Sequence, residues 1–447
     1  MRILWIIGLE YEFGLRHGAN LRFFNLSREL ITMGHEVYFI THRRSTDDTV
    51  QKQAYVRQLI DGRVISGHLE VAYAPPARVR RLGQLAVYPG LVNRILRRHQ
   101  EPVRALVEEF VVRTGIDLCI VSSRQLLFLV PSIGRLRPVF IDWIDSFVLF
   151  LLRETALTLN QRKFTPMGSV LRSLVEAYAD ESYYGKRCLV NLTASPADQR
   201  CLDLVNRRPD RNRVLLNGVA IRGARVDIAP IPNRLIFSGN MSFPPNCDGA
   251  IWFIDHVLPL VLLRQPDIVL VVAGANPPAE LLRRSSRNVR ITGFVEDMER
   301  EIAESMLYVA PLVSGSGFKN KVVEAMGANR YVVATSRAVE FLDPVVRSQL
   351  LVADTQEGMA KHILTYLANP ALYEPALRTA RQILNQEFAW QRRAQELQSI
   401  AREHVGAPEA APAVQNDPRR ARVPRVASGL PAAGPRGTKA CSSPWRD

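Results

Sequence analysis

Short apolar runs, each closed by glycine, aspartate or a turn residue, alternate along this chain with longer stretches whose apolar positions recur at helical spacing. That is the pattern of α/β layers built on parallel sheets. The first cycle reads Arg2 to Gly8 as a buried strand, then a loop carrying Gly14 and Gly18, then Leu21 to Met33 as a helix. In that helix Leu21, Phe24, Leu26, Leu30 and Ile31 fall at helical intervals. Gly34 stands where a helix-terminating glycine belongs, and the run from His35 to Thr41 supplies the next strand of a βαβ unit. Further strands are predicted at Ile116–Val121, Val139–Trp143 and Leu189–Ala194, with Arg213 to Gly218 closing this half.

The cycle then restarts. After an aperiodic segment rich in proline, glycine and charge, Leu235–Phe237 runs into a glycine loop, and a helix follows around Ala250–Leu263. Strands are predicted within Asp267–Ala275, Asn288–Phe294, Met306–Leu312 and Tyr331–Ser336. The expected organisation is a first Rossmann-like domain over residues 1–220, a linker over 221–233 and a second Rossmann-like domain over 234–384. An amphipathic C-terminal helix follows over 385–405, and then a tail over 406–447 that is rich in Ala, Pro and Arg, lacks hydrophobic period and is expected to be disordered.

Composition narrows the class of protein. With 447 residues, 47% of them hydrophobic, the chain can bury two domain cores. Its five cysteines, Cys119, Cys188, Cys201, Cys247 and Cys441, are odd in number, scattered and never spaced C-x-x-C, which points to a reducing compartment, the cytoplasm. The N-terminal apolar run, Ile3 to Ile7, meets Glu10 and Glu12 and lacks a small-residue cleavage site, so it reads as a strand and not a leader. The most apolar region, Ile251 to Ala275, is broken by Asp255, His256, Arg264 and Asp267, too often for a membrane span.

The net charge of +15 calls for an anionic partner: a nucleotide, an anionic lipid surface or a nucleic acid. The tail holds only seven basic residues against three acidic ones, so most of the excess sits on the folded part. Two basic segments interleaved with aliphatic residues, Arg78–Arg98 and Gln161–Arg172, suit either peripheral contact with an anionic membrane or an ordinary solvated face.

The segment richest in chemistry is Ala310 to Ala328. A strand is predicted to end at Pro311, a loop carries Gly315 and Gly317, and Lys319, Lys321 and Glu324 follow as a helix begins. Glycines ahead of a helix let backbone N–H groups approach an anion, and the positive end of the helix favours it. Two lysines there would neutralise a diphosphate, and fixed cations aimed at a departing phosphate lower the barrier to its departure. No D-x-D motif suggests a metal, and no histidine or cysteine stands at ligand spacing from His17, His35 or His42. The same segment also fits a plain glycine-rich loop with solvated charges.

Four segments, Ser238–Pro259, Val271–Pro278, Val289–Met298 and Gly315–Thr335, resemble in order and spacing the donor-binding domain of family 4 glycosyltransferases. In the first half Phe140–Ser146, Ser195–Asp198 and Leu215–Val219 resemble that family's acceptor domain, so the similarity runs from Met1 to about Glu403. The resemblance implies an α/β GT-B fold, two Rossmann-like domains facing across a cleft with the C-terminal helix crossing back to the first. It implies transfer of a sugar, with retention, from a UDP- or GDP-type nucleotide-sugar donor to a saccharide or lipid-linked acceptor; no cofactor or metal is expected, because the lysines can meet the diphosphate and no D-x-D motif is present.

By the same resemblance Lys319 and Lys321 hold the diphosphate and Glu324 the ribose or sugar, while Ser314, Gly315, Ser316, Gly317 and Phe318 form the donor loop. Many members carry two glutamates in this segment, and the place of the first is Ser316 here. Gly239 and Asn240 lie at a strand-to-loop transition suited to phosphate or to a simple turn. Gly293 and Phe294 are implied to border the base, against ordinary packing for Phe294. Gly14 and Gly18 occupy a loop at the carboxyl edge of the first sheet, facing the acceptor or merely flexible. Asp142 and Asp145 end a predicted strand, where they would orient an acceptor hydroxyl or take its proton, or, for Asp145, cap the next helix. A sugar-nucleotide epimerase and a non-catalytic nucleotide or nucleic-acid binder are the competing classes.

Overall fold

In the computed structural model, residues 1–8, 18–43, 49–73, 75, 87–160, 167–219 and 228–405 are described. Gly14, Cys441 and the expected tail lie outside them, as do residues 78–86 and 161–166 of the two basic segments.

Among the described residues, thirteen strands form two all-parallel sheets. The first holds β1 (Arg2–Ile7), β2 (Glu36–Arg43), β3 (Gly67–Ala72), β4 (Leu118–Val121), β5 (Val139–Ile144), β6 (Val190–Thr193) and β7 (Asn212–Val214) in the order β3-β2-β1-β4-β5-β6-β7. The second holds β8 (Ile231–Ser238), β9 (Val269–Ala273), β10 (Val289–Gly293), β11 (Ser305–Ala310), β12 (Val332–Ala334) and β13 (Leu351–Val352) in the order β10-β9-β8-β11-β12-β13.

Parallel strands are buried on both faces, and β1 shows how the sequence meets that demand. Ile3, Trp5 and Ile7 enter one core while Leu4 and Ile6 enter the other. Each sheet reverses its strand order once, beside β1 and β4 in the first and beside β8 and β11 in the second. Ligands bind outside the carboxyl ends of strands at such a point.

The C-terminal segment ties the halves together. The helix Glu374–Glu387 packs on the second domain's core, the chain turns at Phe388 and Ala389, and the helix Trp390–Arg402 lays Trp390, Ala394, Leu397 and Ile400 into the first domain's core. At the crossing, Val219 N–H donates to the Phe388 carbonyl at 2.7 Å. Strand β8 starts at Ile231, inside the stretch expected as linker. Ile231 N–H donates to the Glu304 carbonyl at 2.9 Å, a backbone contact that the irregular run Ile231–Asn233 gives no pattern to foresee. Among the described residues no helix is long and apolar enough to cross a membrane.

Candidate functional site

The loops after β8 and β11 emerge side by side because their strands are neighbours. Gly239 follows β8 with φ +155°, and a Cβ there would stand 2.7 Å from both Lys321 Nζ and Asn246 Nδ2. The glycine suits both the backbone conformation and the close approach of these two side chains. Lys321 Nζ donates to Asn246 Oδ1 and lies 4.9 Å from the centroid of the Phe237 ring, a cation–π contact. Asn246 Nδ2 in turn donates to the Asn240 carbonyl at 2.8 Å.

Burial, then the charge of Lys319, bring the Lys321 ammonium down to about 7, with Glu324 opposing. Glu324, one turn along the helix Asn320–Gly327, is exposed, yet the surrounding protein raises its carboxyl, against Lys321. A solvent-reached group crowded by protein lines a concavity. Lys321 and Glu324 thus present a cation and a carboxylate from one helix face at the mouth of the β8–β11 switch point.

After β11 the loop holds Gly315 at φ +91° and Gly317 at φ +76°, both left-handed. Lys319 is 8% exposed and folds back on this loop, donating to the Gly317 carbonyl at 3.0 Å and to that of Ser316. Its ammonium is lowered by burial, while Asp145, Glu340 and Asp198 pull it up. Ser314 is buried, its hydroxyl unpartnered. Phe318, implied as a donor contact, instead packs on Phe341 at 4.3 Å and Phe388 at 6.0 Å. Its half-buried ring anchors the loop on the second domain's core.

Gly293, at φ +68°, sits at the end of β10, and its carbonyl accepts from Gly274 N–H at 3.0 Å. Phe294 is 65% exposed, which excludes a core-packing role.

Across the cleft, β5 ends in a turn. Asp145 N–H donates to the Trp143 carbonyl at 2.8 Å around Ile144, whose φ is +64°. A β-branched residue in this region is strained, and such strain persists only where the surroundings over-determine it. Here Ala194 N–H grips the Ile144 carbonyl at 2.6 Å and the Ile144 N–H leans on Asp142 Oδ1 at 3.3 Å. The turn aims Asp145 at the loop of the other domain, so closely that a Cβ on Gly317 would lie 1.8 Å from its Oδ1. Asp145 is exposed to the cleft, yet desolvation by the protein crowding it, then the like charge of Asp198, push its carboxyl up to about 7, with Lys319 and Arg22 opposing and Asp142 adding a smaller upward push.

Two readings of the first domain change. Asp142 is fully buried and bound at both oxygens by Arg22, at 2.8 and 3.0 Å, so it offers no carboxylate to an acceptor. The cap of the helix Phe147–Asn160 is Ser146, whose hydroxyl accepts Leu149 N–H at 3.2 Å, and not Asp145. Gly18 opens the helix Gly18–Thr32, and Gly14 lies outside the described residues.

Four groups at the cleft carry no sequence signal strong enough to single them out. Arg153 donates to the Gly315 carbonyl at 2.8 Å and pairs with both Glu340 oxygens at 2.7 and 3.0 Å. Asp198, in the Ser195–Asp198 segment, accepts from Gly317 N–H at 3.0 Å. Asn246 completes the Lys321 pocket. Among the described residues no group of three or more His, Cys, Asp or Glu side chains is placed to hold a metal ion.

Residues 232–369 match the family model of glycosyl transferases group 1. A Klebsiella pneumoniae protein described as an uncharacterized 44.6 kDa protein in the cps region is 30% identical over 145 residues, covering 30% of this chain and 37% of that protein, so the match spans little over a third of the relative. A Rickettsia africae glycosyltransferase superposes with a TM-score of 0.63 at 13% identity over 91% of this chain and 99% of its own. Anabaena HepE, solved with UDP, does so with a TM-score of 0.62 at 17% identity over 90% and 100%; its UDP-glucose complex gives 0.60. The second domain is thus similar to the glycosyl transferases group 1 family, and the chain that carries it has the GT-B fold.

Proposed function

We propose that this chain transfers a hexose from a UDP- or GDP-sugar to a saccharide or lipid-linked saccharide acceptor, with retention of anomeric configuration and without a metal ion. The observation that carries the reading is the meeting of three parts at one cleft. The Lys321–Asn246–Gly239 pocket and the left-handed Gly315–Gly317 loop belong to the second domain, and Asp145 reaches that loop from the first. The likeness to HepE, which binds UDP and UDP-glucose, supports a nucleotide-sugar donor.

In this reading the donor diphosphate lies at the start of the helix Asn320–Gly327, with its charge met by Lys321, the helix end and the glycine-loop amides. As the bond from sugar C1 to phosphate oxygen breaks, the negative charge growing on that oxygen falls on donors already in place. The acceptor hydroxyl forms the new bond to C1 and gives up its proton, which Asp145 is poised to take near neutral pH. Glu324 grips hydroxyls of the ribose or sugar. The exposed Arg94, Arg97 and Arg98 on the helix Pro89–Thr114, beside exposed Leu91, support peripheral contact with the inner face of an anionic membrane.

The test is nucleotide release from a panel of UDP- and GDP-sugars by the full chain in EDTA, with short oligosaccharides as acceptors. Release from one nucleotide class, undiminished by EDTA and lost in Lys321→Ala, is expected. Failure to bind or turn over any nucleotide-sugar, or turnover that needs a divalent cation, would overturn it.

A further inference from the structure

The Asp145 turn and the donor loop belong to different domains, yet one side chain touches both. Asp198 is fully buried in the first turn of the helix Pro196–Asn206. Its Oδ1 accepts Ser146 N–H at 2.9 Å, the residue next to Asp145, and its Oδ2 accepts Gly317 N–H of the second domain at 3.0 Å. Ser195, which caps the helix, donates its hydroxyl to the same carboxylate. We propose that Asp198 is a positioning residue for the transfer reaction, fixing the Asp145 turn and the Gly315–Gly317 loop at their working separation and acting on Asp145 through its charge.

A role in helix capping alone does not account for these contacts. Ser195 already caps the helix, accepting Asp198 N–H at 3.1 Å, so the cap needs nothing from Gly317 across the cleft. Gly317 is held closely by the first domain, since a Cβ there would lie 1.8 Å from Asp145 Oδ1 while its N–H donates to Asp198. The loop is held by two first-domain residues at two different groups: Arg153 at the Gly315 carbonyl and Asp198 at the Gly317 amide. Between them they pin both left-handed glycines, so the geometry of the donor loop depends on the opposing domain. Misplacing a reacting group by about 1 Å can cost about 10²-fold, so a strut of this kind matters to rate.

Electrostatics agrees with the geometry. Asp145 is faced by Asp198 and Asp142, which push its carboxyl up, and by Lys319 and Arg22, which pull it down. Asp198 is raised by burial, while the hydrogen bonds from Ser195 and Ser146, with Lys319 and Arg153 nearby, favour its charged form. Of the two carboxylates, Asp198 is thus the one equipped to hold a negative charge and Asp145 the one left to titrate.

This inference rests on Asp145 as the proton acceptor, and its test does not require turnover. On the full chain, the Asp145 carboxyl is titrated by ¹³C NMR, its signal assigned by loss in Asp145→Asn. In the wild type the midpoint is expected at about 7. In the near-isosteric Asp198→Asn it is expected to fall by about one unit, because a like charge is removed. In parallel, hydrogen exchange of the peptide covering residues 312–320 is expected to quicken in Asp198→Ala while peptides of the two sheet cores are unchanged. An unmoved Asp145 midpoint, or unchanged exchange of that loop, overturns the inference. Calorimetry of UDP with the wild type separates the outcomes: absent UDP binding counts against the proposed function and leaves the titration to decide the role of Asp198.

Discussion

The two walls of the cleft both place backbone in the left-handed region, but they reach it differently. The second domain uses glycines: Gly315 and Gly317 enter it at little cost, and the loop is free to shape itself around an anion. The first domain forces Ile144 into it, at a cost of order 1–3 kcal/mol, and holds it there with the Ala194 amide and the Arg22–Asp142 pair. A glycine loop can adapt to its ligand. A strained isoleucine held from several sides presents a fixed carboxylate. The contrast assigns adaptability to the donor side and rigidity to Asp145.

The largest expected effect lies on the donor wall. Lys321→Ala removes the cation aimed at the departing diphosphate and is expected to lower kcat by about 10²–10³-fold, measured as nucleotide release at saturating donor. A drop in donor affinity with unchanged kcat would mean that Lys321 binds ground state and transition state equally.

Next comes the contact between the walls. Gly317→Ala puts a methyl where Asp145 Oδ1 stands, 1.8 Å away, and strains a residue at φ +76°. The walls must part, and kcat is expected to fall about 10²-fold with the melting temperature of the second domain little changed. Wild-type turnover in this variant would show that the two walls separate during catalysis.

A smaller effect concerns protons. Lys321 at about 7 is partly neutral in the empty site at pH 7.5, and a bound diphosphate, being anionic, raises its pKa. UDP binding is therefore expected to take up protons at pH 7.5 and to weaken as pH rises above 7. Calorimetry in buffers of different ionisation enthalpy checks the sign, and proton release would contradict it.

The smallest effect tests the strained wall. Ile144→Gly relieves the left-handed strain while losing a half-buried side chain, so the two terms offset and the net change in stability is expected to stay within about 1 kcal/mol. The same substitution at Ile141, buried in the middle of β5, is expected to cost about 3–5 kcal/mol. Equal losses at the two positions in urea unfolding would remove the claim of strain at Ile144.

How much of this was legible in sequence follows from the same contrast. Glycine, lysine and helix start occur close together in Gly315–Glu324, so the donor loop could be read from local pattern, as could the strands whose apolar runs are unbroken. Ile144 carries no mark of its conformation, since isoleucine is an ordinary strand residue and the groups that hold it are Asp142, itself gripped by Arg22 over a hundred positions away, and the distant Ala194 amide. Asp142 and Asp145 looked alike three residues apart, and only the third dimension separates a carboxylate sealed by an arginine from one open to the cleft. Phe318 followed two loop glycines and was placed with them, but its ring belongs to the core beneath. Strand β3, an edge strand whose residues are mostly half-buried, and the two-residue β13 offer too little periodicity to be found. Asp198 and Arg153 act across the cleft, so no local pattern announces them.

The central claim is that an anionic donor is bound where these walls meet. A crystal structure of the full chain with UDP tests it most directly. The account requires the diphosphate within hydrogen-bonding distance of Lys321 Nζ and of the glycine-loop amides, with the base toward Gly293 and Phe294. A diphosphate bound anywhere else, with Lys321 still donating to Asn246, would contradict it.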